Sequence, residues 1–239
     1  MRLKSLIQVA AFLGLSALSP AVLAGPSDHT FAFTGGSSGS AELWINGTEM
    51  FTATNRGWIN QNGINNFGGA SGNYIAGVCG SSDGCSGDDL DHHNYFVFDL
   101  SDFHADPDSV TSAELRLSQP GSPDVGFLSQ YPSLTYSLYD VTAGFPDDPI
   151  YDQLALYTDL GSGVSFGSVV VNSSTNGTTV VISFNAAGIS EVYGASDGYL
   201  YVGGAVAVPE PETYAMLLAG LGLLGFAARR RKLKEAAAA

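Results

Sequence analysis

The sequence predicts an all-β protein, a single antiparallel β-sandwich. Three observations carry that expectation. Short segments alternate apolar and polar side chains with a period of two. Thirty glycines and ten prolines in 239 residues supply many tight turns. Only one stretch of the body, residues 185–193, has a helical pattern.

The elements follow in chain order. Residues 42–45 and 50–54 are β-rich runs. In residues 95–100, Phe96, Phe98 and Leu100 share one face. In residues 113–118, Leu115 and Leu117 point inward while Glu114 and Arg116 point outward, and residues 134–139 repeat that alternation. Residues 168–171 and 179–184 are further strands, joined through a turn at 172–177 that ends in Asn176-Gly177. The helix over 185–193 is capped by Asn185 and stopped by Gly194. A last strand covers 199–202. The stretch contains no fixed-period repeat and no linker long enough to split it, so residues 25–207 form one domain.

Charge separates the body from its ends. The formal net charge is −14. Arg2 and Lys4 lie at the N-terminus, and Arg229, Arg230, Arg231, Lys232 and Lys234 at the C-terminus. Residues 25–208 hold two arginines against 20 acidic side chains, a net −18, and no lysine. A body of that sign lacks the cations that nucleic acid or an anionic membrane surface requires. Nucleic acid is therefore excluded as a partner.

Both termini have the order of export signals. Arg2 and Lys4, an apolar run over 6–18, Pro20 and the small-residue end at Ala24 make residues 1–24 a secretory signal peptide, a substrate for signal peptidase. Residues 208–234 begin with Val-Pro-Glu-Pro, continue as an uncharged apolar segment over 213–228 and finish in a basic cluster over 229–234. The apolar segment has 16 residues, short of the ~20 that span a ~30 Å hydrocarbon core, a deficit that Tyr214 and snorkelling basic side chains can make up. The positive-inside rule places the basic end in the cytoplasm and the body outside.

Pro209-Glu210-Pro211, the Gly-Leu-Gly-Leu-Leu-Gly run over 220–225 and Arg229-Arg230-Arg231 resemble the PEP-CTERM sorting signal of exported Gram-negative proteins. The resemblance implies a transient inner-membrane anchor that an exosortase recognises and cuts near Pro-Glu-Pro. It implies a destination at the cell surface or in the extracellular matrix. A second resemblance runs through Asn55-Arg56-Gly57-Trp58, residues 73–77, 94–100, 110–117, 138–142 and 159–163. In that order these segments look like a group of uncharacterised PEP-CTERM surface proteins, in which the insertion over 78–91 is shorter. Residues 98–117 are also similar to secreted carbohydrate-binding-like sandwiches, which implies a jelly-roll or related sandwich. Neither likeness brings a catalytic residue.

Candidate sites cluster in that insertion. Cys79 and Cys85, separated by five residues in a glycine-rich loop, suit a local disulfide in an oxidising compartment. A loop so short contributes about 2 kcal/mol. A redox or zinc pair needs closer spacing or more ligands. Asp83, Asp88, Asp89 and Asp91 could supply oxygen ligands to Ca²⁺. Their spacing matches neither an EF-hand loop nor the Gly/Asp nonapeptide, and a solvated acidic loop is the simpler explanation of them. His92 and His93 point to opposite faces of a strand, so at most one joins any site. Arg116 is expected to pair across strands or to act as a fold determinant. Arg56 is expected to pack, with stacking on the Trp58 indole or a sugar-binding platform as the other readings. Trp44, Trp58 and the tyrosines are core or sugar-binding side chains, core being the simpler assignment.

No nucleophile elbow, phosphate loop or dinucleotide fingerprint occurs. The expectation is a non-catalytic exported surface or matrix protein, associated with exopolysaccharide, biofilm or cell envelope. The alternative is a secreted hydrolase acting on matrix polysaccharide.

Overall fold

The computed structural model describes residues 31–33, 39–78, 90–104, 109–121, 126–127, 129, 131–143, 145, 152–195, 198–207 and 220–222. Within these residues the chain is mostly β-strand, in two antiparallel sheets.

The smaller sheet is built from β2 (Ala41–Ile45), β3 (Glu49–Thr52), β8 (Ala113–Ser118) and β11 (Thr179–Ser183), in the order β11-β8-β2-β3. β2 turns into β3 at Asn46-Gly47, whose φ values of 53° and 70° are the left-handed conformation that this pair tolerates. Asn46 also ties the turn down, its Oδ1 accepting from the backbone of Thr111 and Ser112.

The larger sheet centres on β7 (Asp91–Asp99). One edge of β7 takes β4 (Asn55–Asn60), which pairs in turn with β5 (Asn65–Phe67). The other edge takes β6 (Tyr74–Val78) at Asp91 and His92, then β12 (Tyr199–Ala207) from Asn94 to Asp99. β1 (Phe31–Phe33) continues outward from β6, and β9 (Leu134–Tyr139) and β10 (Ser165–Val171) from β12. The turn at 172–177 therefore joins strands of different sheets, β10 and β11, and holds a single 3-10 turn, Ser173–Thr175, capped by Asn172.

Period two sorts the side chains. Leu43, Leu115, Leu117 and Ile182 of the smaller sheet meet Phe96, Phe98, Tyr136, Leu138, Leu200 and Val202 of the larger one in one buried cluster. Fully burying each such side chain contributes about 1.5–3 kcal/mol. Part of this inner face is polar: Arg56, Asn60, His92 and Asn94 are buried there. The buried Tyr136 hydroxyl donates to Asn94 Oδ1 at 2.8 Å, and burial raises its pKa.

The opposite face of the larger sheet is buried as well, which alternation does not predict. A second cluster there joins Ile59, Tyr95 and Val97 to Leu156 and Leu160 of α1 (Gln153–Leu160). α1 adds to the single helix predicted. Asp152 caps it, accepting from the Leu154 and Ala155 amides. It sits against Gly203, where any β-carbon would meet the backbone of Leu160. The predicted helix is present as α2 (Ala186–Gly194), capped by Asn185 as expected, with Gly194 its last residue and not its stop.

Candidate functional site: an aromatic groove beside α1

Where α1 stops covering the larger sheet, a groove opens. Its floor is one row across three strands, Asn55 of β4, Val97 of β7 and Tyr201 of β12, set by the registers Asn55↔Val97 and Tyr201↔Val97. Period two puts all three side chains on the outer face. Thr54, Phe67, Phe145 and Tyr199 complete a cavity of about 380 Å³.

Its walls are aromatic. Phe145 stacks on Tyr201 with centroids 4.6 Å apart, and Tyr199 lies 6.4 Å from Tyr201. Tyr199 forms the lip and is 55% exposed. Asn55 brings the polar contribution. Its Oδ1 accepts from the Tyr95 hydroxyl at 3.3 Å, while its amide N–H groups have no partner among the described residues. None of the described lining residues is charged.

Asp159 sets the Phe145 wall. From the last turn of α1 its carboxylate accepts from the Thr142 amide at 2.6 Å, the Ala143 amide at 2.8 Å and the Thr142 hydroxyl at 2.9 Å. Asp140 likewise accepts from the Val164 amide at 2.7 Å. The sequence segments 138–142 and 159–163 are thus bound to each other.

A polar latch holds the middle of α1. His93 stacks on the Tyr157 ring, 4.2 Å between centroids and 7° from parallel. Its Nδ1 lies 2.6 Å from the Tyr157 carbonyl oxygen and its Nε2 3.4 Å from Asp91 Oδ2. The Tyr157 hydroxyl donates to the same Asp91 oxygen at 2.8 Å. Burial alone would raise the Asp91 pKa. The His93 hydrogen bond and charge and the Tyr157 hydroxyl outweigh it, so the carboxyl is held below its ordinary value. Burial, then the Asp91 charge, push the Tyr157 phenol up.

The predicted site residues separate. Asp91 is occupied by this latch, whereas Asp83, Asp88, Asp89, Cys79 and Cys85 lie outside the described residues. So do residues 1–24, Pro209, Glu210, Pro211, Arg229, Arg230 and Arg231. Among the described residues no group of three or more His, Cys, Asp or Glu side chains could hold a metal ion, and no helix is long and apolar enough to cross a membrane.

Arg56 is packed in the interior as expected, whereas the cross-strand pairing of Arg116 is corrected. Arg56 is buried over the Tyr74 ring, 4.9 Å from its centroid, and not on Trp58; the two share the inner face of β4 but lie opposite different residues of β7, Phe96 and Asn94. Burial lowers its pKa, and the Tyr74 charge acts the other way. Trp58 is core and packs edge-on against His92. Arg116 ion-pairs along its own strand with Glu114, not across strands. Its cross-strand neighbour Glu42 instead accepts from Trp44 Nε1 at 3.0 Å, and Arg116 covers the Trp44 ring at 4.2 Å.

Sequence reasoning did not single out Tyr199, Tyr201 or Phe145. A signal for two of them was present: both tyrosines alternate with the buried Leu200 and Val202. No curated protein and no solved structure matches the chain. The family model of the PEP-CTERM protein-sorting motif matches residues 207–232, and by that motif this is an exported protein of the kind an exosortase sorts.

Proposed function

We propose that this protein is a non-catalytic component of the cell surface or extracellular matrix, and that it associates with exopolysaccharide. In this reading signal peptidase removes residues 1–24. Residues 208–234 serve as a transient inner-membrane anchor with a cytoplasmic basic end, and an exosortase releases a sandwich domain over 25–207.

The observation that carries the binding role is the groove beside α1. Walled by aromatic rings, it suits the apolar faces of sugar rings. A glycoside hydrolase needs two carboxyl groups flanking one bond. The described lining residues carry none, and Asp91 is engaged under α1. Binding is thereby favoured over hydrolysis.

A pull-down of the mature protein on the producing bacterium's purified exopolysaccharide, followed by a reducing-sugar assay, tests this. Retention without sugar release is expected. Failure to bind, or release of reducing ends, refutes it. Mass spectrometry of the surface form is expected to find residues 213–234 missing.

A further inference from the structure

We infer that the groove selects an uncharged glycan chain, stacked on Tyr199 and hydrogen-bonded by the Asn55 amide. This rests on the polysaccharide-binding reading and adds to it the class of sugar and the residues that choose it.

Charge decides the class. An anionic glycan needs Lys or Arg partners, and the body has no lysine and two arginines. Arg56 is buried on the inner face of β4, the side opposite to Asn55. Arg116 belongs to β8 of the other sheet, where Glu114 holds it. Asp99 of β7 pairs directly with the lip residue Tyr199. It is partly exposed, and hydrogen bonds from Ser101 lower its pKa, so it stays ionised and repels uronates and sulfated sugars. Uncharged hydroxyls meet no such penalty.

Shape and polarity agree with that choice. Tyr199 presents an exposed ring face, and Tyr201 lies one step along the same face of β12, within reach of neighbouring sugars in one chain. Asn55 sits on the floor with its carbonyl engaged by Tyr95. Its amide N–H groups remain to donate to a sugar hydroxyl.

Affinity electrophoresis of the mature protein tests the assignment. The gels contain a neutral β-glucan, a neutral α-glucan or a galactomannan, and in parallel alginate or pectate. Retardation by at least one neutral polymer, undiminished by added salt and absent in the anionic gels, is expected. Tyr199→Ala should weaken it about tenfold, the scale of one lost stacking contact. Val170→Ser, at an exposed position of β10, should leave it unchanged. Retardation by no neutral polymer, retardation by the anionic ones, or a Tyr199→Ala protein that binds as before would each overturn the inference. If the protein still binds its own exopolysaccharide in any of those cases, the inference fails and the broader reading survives. If it does not, both fail.

Discussion

Gly203→Ala tests how α1 is docked, and the sign of its effect is the informative part. Gly203 is an interior residue of β12, outside the left-handed backbone region. With free space, alanine there would stabilise by about 0.4–1 kcal/mol through the unfolded chain. The structure predicts the reverse. A β-carbon would lie 2.7 Å from both Cα and the carbonyl oxygen of Leu160 and 3.1 Å from its carbonyl carbon. These are backbone atoms, so no rotamer relieves the overlap. α1 must lift from the sheet, loosening Leu156 and Leu160 from Ile59, Tyr95 and Val97. Overpacking of this kind costs about 1–3 kcal/mol. For a domain of this size that lowers the melting temperature by about 2–12 °C. Calorimetry or circular dichroism of the mature domain measures it. Gly194→Ala, at the end of α2 with nothing near its β-carbon, is the control and should stabilise. A Gly203→Ala protein as stable as the parent, or more so, would refute the docking of α1 described above.

Three further outcomes are expected. Tyr136→Phe leaves the buried Asn94 carbonyl without its donor and should cost about 1–3 kcal/mol, read as a lower urea midpoint at unchanged slope. Asp91 has a depressed folded pKa, so its stabilising contribution is complete above the unfolded value of about 3.9 and is lost as pH falls through the folded one. Asp91→Asn should therefore flatten the stability profile below about pH 4. Asp159→Ala removes the acceptor that fixes Thr142 and Ala143. Glycan retardation should drop while the far-ultraviolet spectrum stays that of the parent.

Legibility in the sequence depended on how local the cause was. The alternation of Leu115 with Arg116 and of Leu134 with Thr135 located β8 and β9, since each strand has one face on the core. The same rule fell short on β7. Tyr95 and Val97 look like the outer face of a half-buried strand but lie under α1 and its neighbours. α1 itself buries only Leu156 and Leu160, too few to give a helical stripe, and its visible signal is the Asp152 cap. β4, rich in Asn and Gly, has little strand propensity of its own and is held by pairing with β7. The sorting motif was legible because its meaning lies in the order of adjacent residues. The groove was not, because it exists only once β4, β7 and β12 come into register.

The charge asymmetry gains its physical meaning from where the two body arginines lie. A net −18 over residues 25–208 could still present a local cationic patch if Arg56 and Arg116 faced solvent together. Instead one is buried over Tyr74 and the other is held by Glu114 against Trp44, in different sheets. Among the described residues neither is left to receive an anion. The surface of the domain is therefore acidic in detail as well as in total, and attraction to a like-charged matrix polymer cannot come from its own side chains. Contact with such a matrix must go through uncharged stretches of glycan or through bridging cations. The groove offers a place for the first: aromatic rings and a spare amide recognise sugar without charge, and screening by salt does not weaken them.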